Sequence, residues 1–159
     1  MNHQIRYANI NDIDKIIYFI IELAIYEKMQ DEIVVTKELI EKWLFQEKVA
    51  EVLFVLENNK EVGFALFFHN YSTFVGRAGI YLEELYVLPE YRHKGYGKAL
   101  IKKLASICVE KECGRFEWCC LNWNKPSIGF YLSLGAKPMD EWTTYRVDGE
   151  SLIKLANEK

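Results

Sequence analysis

The stretch Leu82–Lys98, LEELYVLPEYRHKGYGK, constrains the fold of this chain more tightly than any other. It reads as a strand closed by Pro89, a turn built from Arg92-His93-Lys94-Gly95-Tyr96-Gly97, and the start of a helix. Glycine at a strand-to-helix junction permits positive φ and lets a ligand come close to the backbone. The first N–H groups of a helix have no intrahelical partner and carry partial positive charge, so such a junction can receive a phosphate or pyrophosphate. Arg92, His93 and Lys94 add cationic side chains around it. The competing reading is an ordinary helix start with a solvated basic turn, and a short glycine motif does not exclude it. Two nucleotide-binding motifs are excluded, since the chain holds neither GxGxxG nor GxxxxGK[ST].

The hydrophobic pattern on either side predicts an α/β chain. Ile5–Ala8 reads as a first strand. Asn11 is the expected cap of a helix whose inward face is Ile13, Ile16, Ile17, Ile20 and Ala24. Thr36 caps a second helix running to about Glu47, with Leu39, Ile40, Trp43 and Leu44 inward. Val52–Glu57 and Glu61–His69 form a hairpin around Asn58-Asn59-Lys60. Gly79–Leu88 is a third long strand, and Gly95–Glu112 a helix with Leu100, Ile101, Leu104, Ile107 and Cys108 in its core stripe. Arg115–Leu121 reads as a strand, and Pro126–Leu134 as a helix stopped by Gly135. Thr143–Val147 reads as a last strand and Gly149–Ala156 as a terminal helix. The order β-α-α-β-β-β-α-β-α-β-α places antiparallel hairpins early and helical crossovers late. No repeat or linker divides residues 1–159, which read as a single domain.

Composition narrows the function classes. A formal net charge of -3 and a hydrophobic fraction of 50% describe a soluble globular chain without a nucleic-acid footprint. No run reaches the ~20 apolar residues of a membrane span, and no leader pattern opens the sequence, so a cytoplasmic protein is expected. The four cysteines, at 108, 113, 119 and 120, contain no CxxC pair, and the three histidines are scattered. A metal site is therefore not expected, and the cysteines read as reduced, buried thiols. Cys119 and Cys120, adjacent in a strand, would point to opposite faces.

The motif Arg92-x-x-Gly95-x-Gly97 after a strand resembles the acyl-CoA pyrophosphate loop, [QR]-x-x-G-x-[GA], of the GNAT acetyltransferases. Further segments are similar to the diamine (spermidine/spermine) N1-acetyltransferase subfamily and its thialysine-acetylating relatives. They are Tyr26-Glu27, Tyr81-Leu82-Glu83-Glu84, Trp123-Asn124-x-Pro126-Ser127, Phe130-Tyr131, Gly135-Ala136 and Trp142. The resemblance runs from Ile5 to Ala156. It implies a mixed, mostly antiparallel sheet flanked by helices, with acyl-CoA bound at a splayed strand pair. It also implies direct acetyl transfer from acetyl-CoA, without a metal, to the amine of a small molecule, and a homodimer.

Residue by residue, the resemblance makes Tyr131 the acid that protonates the leaving sulfur and Glu83 the proton acceptor, working through water. Strand alternation would set Glu83 on the face of Leu85, opposite Glu84. The backbone of Leu85, Tyr86 and Val87 would hold the pantetheine arm as an added strand. The turn Arg92–Lys98, including His93, Lys94, Gly95, Tyr96 and Gly97, would hold the pyrophosphate. Asn124, Pro126 and Ser127 match further CoA contacts, although a helix cap explains Asn124 equally well. Tyr26, Glu27, Glu83, Glu84, Glu117, Trp118, Cys119 and Asp140 fall where the subfamily places its amine-binding walls.

Two departures bear on the substrate. The diamine enzymes carry Asp-Pro-Trp where this chain has Tyr71-Ser72-Thr73-Phe74, and an arginine where it has Thr143. A polyamine and a lysine analogue such as thialysine both remain open. So do two other readings, acetylation of a protein lysine or N-terminus and a non-catalytic acyl-CoA-binding module.

Overall fold

The computed structural model describes residues 3–159. The chain falls into two compact units, the first ending at Cys119 and the second spanning Cys120–Lys159. The first holds a five-stranded sheet in the order β1 (Gln4–Tyr7), β2 (Glu51–Glu57), β3 (Lys60–Ser72), β4 (Arg77–Val87), β5 (Phe116–Trp118). The first three pairings are antiparallel, and β5 runs parallel to β4. The β2–β3 hairpin turns at Asn58 and Asn59, both at positive φ, a conformation that asparagine tolerates better than most residues.

Both faces of the sheet are apolar, as a sheet covered on two sides requires. On one face Phe54, Phe64 and Tyr86 pack against Ile16, Phe19 and Leu23 of α1 (Ile13–Tyr26) and Ile40 of α2 (Lys37–Ile40). On the other, Leu53, Val55, Phe67 and Ile80 are fully buried, and α3 (Tyr96–Glu110) packs against β2, β3 and β4. The expected stripe Leu100, Ile101, Leu104, Ile107 and Cys108 is buried throughout.

Several boundaries differ from the sequence reading. Asn9, not Asn11, caps the first helical turn, because Asp12 sits three residues later and completes a capping box. The fully buried residues of α1 are Ile16, Phe19 and Leu23; of the expected inward residues, Ile13, Ile17 and Ile20 are half-buried and packed against that core, and Ala24 is half-buried. Thr36 does cap α2, its Oγ1 accepting from the Leu39 N–H at 3.2 Å. That helix then widens into a π-helical segment, Glu41–Gln46. The wider turn rotates its side chains out of the 3.6-residue register, and Trp43, expected inward, is 45% exposed; Leu39, also expected inward and on the short α-helical turn before it, is 42% exposed. Strand β5 is shorter than expected, and Cys119 and Cys120 lie beyond it. Cys119 is exposed, against the expectation of a buried thiol.

In the second unit, α4 (Lys125–Ser133) ends before Gly135 at φ 88°, and α5 spans Gly149–Ala156. The expected strand Thr143–Val147 does not form. Tyr145 there is 92% exposed, and among the described residues no neighbouring strand pairs with the segment.

Strand β1 is tied down by charge. Arg6 grips buried Asp12 with two bonds of 2.8 Å and reaches Glu61 at 2.6 Å. The Asn9 N–H also donates to Asp12 at 2.8 Å. The Arg6 hydrogen bond holds the Asp12 carboxyl below its usual range. Its stabilisation is thus present above pH ~4 and lost as acid protonates it. Asp12→Ala should cost about 2–3 kcal/mol at pH 7 and much less at pH 2, measured by urea unfolding at both values. An equal loss at the two would refute the ionic origin.

Candidate active site

The third ladder contains an irregularity that organises the site. Leu66 pairs with Glu84, but the next residue, Phe67, pairs with Leu82. Glu83 is therefore the extra residue of a β-bulge. Alternation on β3 puts Phe64, Leu66 and Phe68 on the α1 face, so their partners Tyr86, Glu84 and Tyr81 share that face. Without the bulge, Tyr81 and Glu84 would point to opposite sides. Glu83 thus leaves the plain alternation that would set it on the face of Leu85, opposite Glu84. The Glu83 charge raises the pKa of both Glu84 and Tyr81, so its carboxylate lies near both groups.

Glu84 is the most perturbed acid of the group. Burial, then the charges of Glu27 and Glu83, push its carboxyl up to about 8. Burial also raises Glu27, just past the end of α1. Two half-buried carboxyl groups thus influence one another, and each is pushed towards its protonated form. Tyr81 extends the wall: its hydroxyl donates to Cys119 Sγ at 2.9 Å, and its ring lies 5.2 Å from Phe68. Glu117 pairs with Tyr81 across β4–β5 and accepts from Asn70 at 3.4 Å. Trp118 pairs with Leu82 instead, which puts it on the α3 face, away from this wall. Asp140 lies exposed in the second unit.

Strand β5 pairs with β4 only over Ile80–Leu82. Beyond that point, among the described residues, the outer edge of Glu83–Val87 has no strand beside it. This is the splay at which an extended ligand can add as a strand.

The glycine turn lies at the end of the same strand. Gly95, at φ 83°, is the residue before α3, and no side chain caps the helix. The first intrahelical bond runs from the Ala99 N–H to the Gly95 carbonyl, 2.9 Å. That leaves the Tyr96, Gly97 and Lys98 N–H groups available to an anion. A Cβ on Gly97 would meet only Val87, at 3.9 Å. Packing inside the chain thus gives no reason for glycine at 97, whereas close approach of a ligand does. The residues present fit a pyrophosphate.

Two basic side chains of the turn, Arg92 and Lys94, have partners within the chain. Arg92 folds back: its Nε donates to the Val87 carbonyl at 2.9 Å, and its guanidinium lies over the rings of both Tyr26 and Tyr86, at 5.0 and 5.1 Å. Lys94 is paired with Glu57 at 3.1 Å, and the Tyr96 hydroxyl donates to the same carboxylate at 2.6 Å. These side chains hold the turn in shape, and the backbone is left to meet the anion. His93 and Lys98 remain exposed beside it. Glu57 and His3, whose ring packs 4.7 Å from Tyr96, were not foreseen. Each is distant in sequence from the turn, and nothing local marks them.

In the second unit, Asn124 caps α4, its Oδ1 accepting from the Ser127 N–H at 3.4 Å, with Pro126 in the first turn. Tyr131 follows one turn after Ser127, half-buried. Residues 13–136 match the model of the acetyltransferase (GNAT) family.

The chain belongs to the GNAT acetyltransferases.

Several of its curated relatives are named as acetyltransferases. It is 37% identical over 97% of both chains to the thialysine N-epsilon-acetyltransferase of Sus scrofa, and 34% identical over 91% of both to that of Caenorhabditis elegans. Among solved structures, an integron cassette protein from the mobile metagenome of V. cholerae superposes with a TM-score of 0.82 at 27% identity, covering 99% of each chain. As a GNAT acetyltransferase the chain has the mixed, helix-flanked sheet that its sequence predicted. Among the described residues no cluster fit to hold a metal occurs, and no helix is long and apolar enough to cross a membrane.

Proposed function

We propose that this acetyltransferase transfers the acetyl group of acetyl-CoA to a primary amine of a small molecule, with a lysine analogue such as thialysine as the acceptor class. The carboxyl pair Glu27–Glu84 carries the acceptor reading. A half-buried acid pair on the face of an enzyme sheet is suited to an ammonium group, and the near-full-length thialysine acetyltransferase relatives support the choice over a polyamine. The match to the family runs across the boundary between the two units, which supports a single catalytic domain.

Acetyl-CoA supplies the acetyl group already activated as a thioester. The N–H groups of Tyr96, Gly97 and Lys98 hold its pyrophosphate, and the free edge of Leu85, Tyr86 and Val87 holds its pantetheine arm. The amine arrives as an ammonium ion of pKa ~10 and must lose a proton before it can attack. Glu83 and Glu84 take that proton, with Glu84 poised near neutrality and Glu83, more exposed, linking it to water. Tyr131 holds the proton that the departing sulfur needs. The Asn124–Ser127 cap fixes the first turn of α4, and with it the orientation of the tyrosine. The extended segment around exposed Trp142 and Tyr145, together with Leu152, Ile153 and Leu155 of α5, is covered by a second copy of the chain. Light scattering at micromolar concentration should give the dimer mass, and a monomer there would refute this.

The deciding experiment is thiol release from acetyl-CoA with thialysine, lysine, ornithine, putrescine, spermidine and a short peptide. Fastest release with thialysine is expected. Tyr131→Phe should lower kcat by about 10²-fold with little change in KM. Release with the peptide alone would move the function to protein acetylation. Binding without release from any amine would make the chain a binding module.

A further inference from the structure

Helix α3 ends in a Schellman motif. The Cys113 N–H bonds the Cys108 carbonyl at 2.8 Å and the Glu112 N–H bonds the Val109 carbonyl at 3.0 Å, with Glu112 at φ 56°. The motif brings the side chains three positions before and two after the helix end into contact, and these are ordinarily two apolar groups. Here both are cysteines. Cys108 is buried, Cys113 is half-buried, and both are free thiols. Burial raises the pKa of the Cys108 thiol, and the neighbouring Cys113 raises it further; the Cys108 thiol donates to the Arg115 carbonyl at 3.4 Å.

The chain just after Cys113 is pinned. The Gly114 N–H donates to the Ala78 carbonyl at 2.9 Å, and the Arg115 carbonyl accepts from the Ile80 N–H at 3.0 Å. The backbone therefore holds Cys113 from both sides, next to the helix turn that carries Cys108. We propose that Cys108 and Cys113 form a reversible oxidation site, closed to an intramolecular disulfide by small-molecule disulfides of the glutathione type.

The two thiols differ in a way that assigns the order of events. Cys113 is nearer water and reacts first: its thiolate attacks one sulfur of the oxidant, and a glutathione thiolate leaves with the electron pair. Cys108, whose thiol burial holds protonated, is the resolving group. It gives up its proton and attacks the Cys113 sulfur, and the second glutathione thiolate leaves. Two thiols are oxidised by two electrons, one disulfide is reduced, and the two protons end on two glutathione thiols. The bond locks the last turn of the helix whose first turn forms the pyrophosphate site.

Trypsin separates the two cysteines, cutting after Lys103, Lys111 and Arg115. The folded wild-type protein is incubated with glutathione disulfide, the remaining thiols are blocked, and the digest is read by mass spectrometry. The expected product is Leu104–Lys111 joined to Glu112–Arg115, lost on reduction, with two of the four thiols consumed. Cys108→Ala should instead retain one glutathione on Cys113. A wild-type protein that keeps glutathione on Cys113 without the cross-link, or that oxidises only at Cys119 and Cys120, would overturn the proposal.

Discussion

Gly97→Val should abolish acetyl-CoA binding and leave the fold intact. A Cβ at this position has open space and meets only Val87, at ordinary van der Waals distance. Valine is also a slightly better helix former than glycine, so thermal stability should stay level or rise a little. The added branch stands over the N–H groups of the first turn. Each hydrogen bond to a charged phosphate is worth about 1.5–3 kcal/mol, so loss of two weakens binding by more than about 100-fold. Calorimetric titration with CoA beside a melting curve separates the two effects. Unchanged affinity would move the pyrophosphate elsewhere, and a large drop in melting temperature would mean that the glycine serves the fold. Gly95 does not allow so clean a test, because its φ of 83° strains any side chain.

Glu84→Gln should stabilise the protein and disable it. Burial beside Glu27 and Glu83 raises the Glu84 carboxyl to about 8. A carboxyl raised in the folded state supports the fold while protonated, and that support is lost as pH rises from ~4.5 through the folded value. The wild type should thus lose about 2–3 kcal/mol between pH 5 and pH 9 after allowance for solvent screening. Glutamine, neutral throughout, should remove this slope. Catalysis needs the opposite state, the carboxylate, so wild-type kcat/KM should climb with pH through about 8. The variant should lose about 10²-fold in kcat/KM and lose that limb. Denaturant unfolding and a pH–rate profile on the same samples check both. Should the variant keep full activity, Glu84 would be a structural acid and the proton would pass through Glu83 alone.

Much of this architecture was legible from local patterns. The stripe of α3 obeys one period from Leu100 to Cys108, and the hairpin turn is written in Asn58-Asn59. The junction at Gly95–Gly97 needs only backbone freedom and unpaired N–H groups, both of which belong to a strand–glycine–helix sequence whatever surrounds it. The resemblance to the family rests in part on that junction.

Other features depended on partners far along the chain. The bulge at Glu83 exists because β3 pairs out of step with β4, and neither strand carries that offset in its own pattern. Arg92 is held by two tyrosines, from α1 and β4, and by the Val87 carbonyl, partners that the turn's own sequence does not show. Thr143–Val147 has the alternation of a strand, yet a strand needs a neighbour to take its hydrogen bonds, and among the described residues no strand pairs with it. Local sequence was therefore sufficient for the helices, the turn and the backbone anion site, whose interactions close within a few residues. Tertiary structure decided which carboxyl groups face each other and how strongly each holds its proton, because burial and like charge act through space between residues as distant as Glu27 and Glu84.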